Sequence, residues 1–149
     1  MVVDIQTGTL VPLIGKEDFL ANVNDLIDFF HKENLPVVFV RKFGYGKLSE
    51  KLHRNKQDVV VSKIQMNTFC APEFKSFLLN SDLESFVVVG LMSHACIQST
   101  CKGAIANNYS IVLVEDAHDS IIKPMRSIWN KKLKKLGVKT ITTKEYLKS

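Results

Sequence analysis

The sequence predicts a three-layer α/β/α sandwich built on a mainly parallel sheet of about six strands. Two observations carry this. Short β-branched and aromatic runs recur without the apolar–polar alternation of a half-exposed strand: Val37-Val38-Phe39-Val40, Val59-Val60-Val61 and Phe86-Val87-Val88-Val89. Between them stand segments whose apolar residues return every three or four positions, the period of a helix with one buried face. Strands that are apolar on both faces, spaced by amphipathic helices, belong to a parallel sheet covered on both sides.

In chain order, Met1 to Ile5 reads as a short apolar strand. Residues 16–34 form a helix with Phe19, Val23, Leu26, Ile27 and Phe30 on its inner face, stopped by Asn34 and Pro36. Val37–Val40 is the second strand. Residues 41–57 are polar and carry Gly44 and Gly46, so they read as a loop with room for one helical turn around 48–54. Val59–Val61 is the third strand. Pro72 opens a short helix that buries Phe74, Phe77 and Leu78. Phe86–Gly90 is the fourth strand, followed by a helix from about Ala95 to Asn107, which Asn108 can end in the left-handed conformation. Ser110–Val114 is the fifth strand. Met125, Trp129, Leu133 and Leu136 line a last long helix that Gly137 terminates. Val138–Thr142 is the sixth strand, with room for a short helix after it.

The 149 residues, 46% hydrophobic and 23% charged, suit a single globular domain over residues 1–149. No apolar run reaches the roughly 18 residues that a membrane span needs, so no membrane partner is expected. No basic-then-apolar leader opens the chain, and the cysteines at 70, 96 and 101 are odd in number and form no CxxC. Both features predict a cytoplasmic protein with free thiols, each packed or reactive. The net charge of +5 is modest. Lys131, Lys132, Lys134 and Lys135 read as a solvated helix face, so no nucleic-acid partner is expected.

In sheets of this kind chemistry gathers beyond the carboxyl ends of the strands. There the chain places Asp4 and Gln6 after the first strand, Lys63 after the third, Leu91-Met92-Ser93-His94-Ala95-Cys96 after the fourth, and Glu115-Asp116 after the fifth. No GxGxxG follows a strand, and Gly44-Tyr45-Gly46-Lys47 lacks the spacing of a phosphate loop, so no nucleotide cofactor is expected. A cysteine at a helix start beside a lysine is different: the helix terminus and the ammonium both favour the thiolate, and a carboxylate can carry the thiol proton. On position alone, a buried structural cysteine is the competing reading.

The run Val87-Val88-Val89-Gly90-Leu91-Met92-Ser93-His94-Ala95-Cys96-Ile97, with Ser99-Thr100, Ala104, Tyr109 and Val114-Glu115-Asp116-Ala117, resembles the isochorismatase-like cysteine hydrolase superfamily. So do the opening Val2-Val3-Asp4-Ile5-Gln6 and the segment Ser62-Lys63 with Asn67-Thr68-Phe69. The resemblance implies a catalytic triad of Cys96, Asp4 and Lys63, an oxyanion hole from the backbone N–H groups of Met92 and Cys96, and a cis peptide at Leu91–Met92. It further implies a cofactor-free amidohydrolase that passes through a thioester, with Gln6, Phe69, Leu91 and Met92 helping to line a small-molecule pocket. A homo-oligomer, dimer or tetramer, is expected on the same ground.

Zinc-containing nicotinamidases of that superfamily carry an Asp and paired His residues after the second strand. Here residues 41–57 offer only His53 and lack Asp-x-His, and His31 falls within a helix, so no metal is expected. His94 and His118 stand near the pocket and are left without a role. The reading from another class is an inactive homologue that serves as an oligomeric binding or scaffold protein; the complete triad disfavours it.

Overall fold

A computed structural model describes residues 1–149. Six strands form one sheet: β1 (Val2–Val3), β2 (Val38–Lys42), β3 (Val59–Lys63), β4 (Ser85–Leu91), β5 (Ser110–Asp119) and β6 (Lys139–Ile141). Their order is β3-β2-β1-β4-β5-β6, and every pairing is parallel. The predicted sandwich is the observed one. The helices are α1 (Thr7–Leu10), α2 (Lys16–Lys32), α3 (Pro72–Leu79), α4 (Gln98–Ala106), α5 (Pro124–Lys135) and α6 (Thr143–Lys148).

Successive strand residues point to opposite faces, so the sheet divides the interior in two. Val3, Val38, Val40, Val61, Val88 and Leu113 face one core, closed by Phe74 of α3, Ala104 of α4 and Leu133 of α5. Val2, Phe39, Val89 and Val114 face the other, closed by Phe19, Val23, Leu26 and Ile27 of α2. Tyr146 of α6 packs beside α2, its ring 5.9 and 6.1 Å from those of Phe29 and Phe30. Burial on both faces is why the central strands β1, β2, β4 and β5 show no alternation, whereas the edge strand β3 leaves Val59 and Val60 exposed.

The turn signals act as expected. Asn34 and Asn108 adopt the left-handed conformation just past α2 and α4, and Gly137 does so past α5. Four differences follow from tertiary demands. The first strand pairs only over Val2–Val3, because Asp4 turns into the left-handed region (φ 53°) and leaves the ladder. The helix expected from Ala95 begins as a wide π-helical turn, Ser93–Ile97, before α4. Residues 48–54 form only an isolated turn, the Leu52 N–H donating to the Ser49 carbonyl (3.3 Å), and the segment is pinned by a bridge between Leu48 and Gln6. The fifth strand runs on to Asp119 through a bulge, its pairing with β4 passing from Val88–Leu113 to Gly90–His118.

Gly90 sits at that bulge and also pairs with Val3 of β1. Its φ is 128°, and an added Cβ would overlap the Val3 carbonyl. Both the conformation and the close approach exclude a side chain. Gly90→Ala should therefore cost about 3 kcal/mol or more from overpacking and backbone strain together, read as a fall in the urea midpoint at unchanged m-value. A change below about 0.5 kcal/mol, the size of a surface substitution, would contradict this packing.

Candidate active site

The carboxyl end of β1 delivers Asp4. Its N–H donates to the Val40 carbonyl of β2 (2.9 Å), and its own carbonyl accepts from the Thr9 hydroxyl. This double anchor holds a non-glycine residue in the left-handed conformation and fixes the carboxyl group, which is 2% exposed. Lys63, the last residue of β3, reaches past the end of β2 to place its ammonium 3.0 Å from Asp4 Oδ2, with its side chain fully buried. The same ammonium donates to the carbonyls of Gln65 (3.0 Å) and Met66 (2.8 Å).

Cys96 lies in the π-helical turn and is 6% exposed. Its thiol is close enough to couple to both Asp4 and Lys63. Burial pushes the thiol up to about 11; the Asp4 carboxylate adds to that rise and Lys63 offsets part of it. Burial also raises Asp4 above its ordinary value, against the opposing pull of Lys63 and Cys96. The sequence led us to expect a lysine-stabilised thiolate. Burial dominates that rise and holds the thiol toward its neutral form, beside an Asp4–Lys63 pair whose ammonium is shared among two carbonyls and a carboxylate. Neither Asp4 oxygen accepts a well-aligned hydrogen bond, so the carboxylate keeps room for a proton from the thiol.

Before this turn, the peptide between Leu91 and Met92 is cis, as expected. The Met92 carbonyl accepts from the N–H groups of Ala95 (3.0 Å) and Ile97 (3.1 Å), while the Met92 N–H donates to no other group of the chain. Asp4, Leu91, Met92, His94 and Cys96 line one pocket of about 320 Å³, together with Lys42, Tyr45, Met66 and Ile121.

Two residues expected in the pocket wall are not there. Gln6 is fully buried, and its amide is spent on the backbone: Nε2 donates to the Lys42 and Gly46 carbonyls (both 2.9 Å), and Oε1 accepts from the Lys42 N–H (2.8 Å). Phe69 packs into an aromatic cluster with Phe74, Phe86 and Tyr109, at centroid distances of 5.1, 6.0 and 5.5 Å. His31 and His53 are held away from the pocket by Asp58 (2.9 Å) and Asp28 (3.0 Å). Cys70 is exposed, and Cys101 is buried within the core, its thiol pushed up to about 12 by burial.

Sequence reasoning missed the part played by His118. It lies within β5, fully buried behind the π-helical turn that carries Cys96. Its Nδ1 is 2.7 Å from the Ser93 hydroxyl and its Nε2 is 2.6 Å from Asn130 Oδ1. Asn130 Nδ2 donates to the Glu115 carbonyl, so Oδ1 is the acceptor. That assigns the Nε2–H tautomer, with Ser93 donating to Nδ1. Only its place after the fifth apolar run hinted at a role. His94 binds the Ser120 hydroxyl through Nδ1 (2.9 Å) while facing the pocket.

Fold and site together place the chain among α/β proteins that work from the carboxyl mouth of a parallel sheet. The Isochorismatase domain matches residues 1–145, and the chain belongs to that family. The uncharacterised isochorismatase family protein YddQ of Bacillus subtilis (strain 168) is 27% identical over 134 residues, which cover 78% of this chain and 74% of YddQ. A cysteine hydrolase from Pseudomonas syringae pv. phaseolicola 1448A superposes with a TM-score of 0.90 at 16% identity, over 99% of this chain and 89% of that one. The MAR1 ribonuclease from Caenorhabditis elegans superposes with a TM-score of 0.84 at 19% identity, over 96% and 75%. At such identities the structural likenesses establish the shared fold.

Burial pushes the His118 imidazole down to about 4 from an ordinary 6.5. A base depressed in the folded state contributes stability that is fully present above pH 6.5 and is lost as the pH falls through 4. At 1.36 kcal/mol per pH unit, this group should remove about 3 kcal/mol between pH 7 and pH 4. Urea denaturation at the two pH values, in wild type and His118→Gln, measures it; an equal drop in both proteins would contradict the assignment.

Proposed function

We propose that this protein is a cofactor-free cysteine hydrolase that cleaves the C–N bond of a small amide through Cys96, Asp4 and Lys63. The observation that carries the reading is the buried Asp4–Lys63 pair beside a buried thiol at the floor of a pocket. Charges removed from water are costly, and a pair whose carboxylate keeps acceptor capacity next to a thiol suits proton transfer better than structural support. The neighbour named a cysteine hydrolase agrees with this reading.

The chemistry follows from the positions. As a substrate carbonyl carbon meets Sγ, the thiol proton passes to Asp4 and the C–S bond forms. The carbonyl oxygen becomes an anion, received by the Met92 and Cys96 N–H groups; such donors act where charge develops and contribute about 3 kcal/mol each. Asp4 returns its proton to the leaving nitrogen, the C–N bond breaks, and a thioester remains. Water then attacks the thioester carbon, giving one proton to Asp4. The C–S bond breaks, the acid departs, and Asp4 reprotonates the sulfur. Lys63 stays positive throughout and holds Asp4 in place.

Exposed Phe43, Ile64 and Met66 at this end of the sheet support the homo-oligomer that the family resemblance implies.

Ammonia release across a panel of small amides and ureides should identify turnover. Cys96→Ala should then lower kcat by about 10⁴-fold or more, and Asp4→Asn by about a thousandfold, with circular dichroism unchanged. An acyl adduct trapped on Cys70 or Cys101 instead of Cys96 would overturn the assignment. Because Asp4 must be ionised to take the proton and its affinity for protons is raised, activity should fall on the acid side above the ordinary carboxylate value of about 3.9. An acid limb at or below that value would contradict Asp4 as the base.

A further inference from the structure

Lys42 closes β2 at the pocket mouth, and nothing in the triad chemistry uses it. Its backbone is fixed from both sides by Gln6, which accepts from its N–H and donates to its carbonyl. A fully buried glutamine with its amide matched to the backbone on both sides of this residue is a rigid mount. The side chain is half-buried and lies over the Tyr45 ring, with Nζ 5.0 Å from the centroid. It forms no ion pair, and its charge reaches Asp4.

The charges of the pocket do not balance. Asp4 is the only acid in its walls, and Lys63 already neutralises it. Cys96 is uncharged at rest. Lys42 is therefore a cation without a counterion, in a wall it shares with Thr9, Tyr45, Leu91, Met92, His94 and Ile121. A partly desolvated ammonium in such a place attracts a negative charge more strongly than one in open water. One unmatched positive charge fits one negative charge. A carboxylate supplies that; a phosphate monoester, at about −1.5 to −2, exceeds it.

We propose that Lys42, positioned by Gln6, anchors a carboxylate, so that the preferred substrate is a small amide that also carries a carboxylic acid. This rests on the hydrolase reading for the word amide, but the anion site can be tested without turnover. Iodoacetate and iodoacetamide alkylate a thiol by the same displacement of iodide and differ in the charge they bring. Their rates at Cys96 and at exposed Cys70 are measured in the same protein by mass spectrometry.

The iodoacetate-to-iodoacetamide rate ratio at Cys96 should exceed that at Cys70 by about tenfold, the size of one charge-assisted contact. Lys42→Met should bring the Cys96 ratio down to that of Cys70, and Lys42→Arg should restore most of it. Using a ratio cancels any change in the reactivity of the thiol itself. Equal ratios at the two cysteines, or a Cys96 ratio unmoved by Lys42→Met, would overturn the anion site and leave the hydrolase reading standing. A high, Lys42-dependent ratio in a protein that releases ammonia from no amide would uphold the anion site and sink hydrolysis. Both rates at Cys96 should be slower than at exposed Cys70, because its thiol is buried and raised, and a Cys96 ratio below that of Cys70 would also overturn the anion site.

Discussion

Burying a carboxylate and an ammonium together is unfavourable unless their surroundings replace the water they lose, and the surroundings of Asp4 and Lys63 are arranged to do so. The ammonium exchanges water for the Gln65 and Met66 carbonyls and one carboxylate oxygen. The loop that offers those carbonyls is tied to α4 in turn. The Thr68 N–H donates to the Thr100 hydroxyl, the two threonine hydroxyls lie 3.0 Å apart, and Thr100 also contacts the Met66 carbonyl. Because α4 continues from the turn bearing Cys96, the lysine loop and Cys96 are fixed to one another as well as to the sheet. Removal of either charge would leave the other stranded, which is why the pair constrains every element that touches it.

A second constraint comes from behind. Gly90 lets β4 approach β1 closely enough to set Leu91 and Met92 beside Asp4, and the bulge opposite it carries His118 under Ser93. A neutral imidazole with both nitrogens engaged braces the Cys96 turn from the sheet side without adding a charge beside the thiol. Sheet geometry and active-site geometry are in this respect one feature: the bulge that lengthens β5 is what brings the brace into place.

The layers of the fold were legible in the sequence because burial on both faces leaves its mark on the central strands, and one-sided burial leaves a helical period. Asp4, Lys63 and the segment ending at Cys96 were legible as strand-end residues for the same reason. What escaped depended on partners distant in sequence. Gln6 follows Asp4 and so looked like a pocket residue; its partners, Lys42 and Gly46, lie in a stretch whose glycines and charges read as a loop. Lys42 escaped with it. Phe69 sits beside the lysine loop, but its ring belongs to the aromatic cluster that packs α3 against the sheet. Glu115 and Asp116 ended the fifth strand on polarity alone, yet Asp116 accepts from the Thr143 N–H and hydroxyl and so anchors α6.

The burial of Cys96 has a consequence for how the protein endures exposure to oxidants. Peroxide attacks the sulfur anion and hardly touches the neutral form. A thiol raised to about 11 and nearly closed off from solvent spends almost no time in the vulnerable state. Exposed Cys70 meets an oxidant first, and its loss leaves the pocket intact. In the hydrolase proposed above, a sulfur that rests in its neutral form would be spared irreversible damage between encounters with substrate.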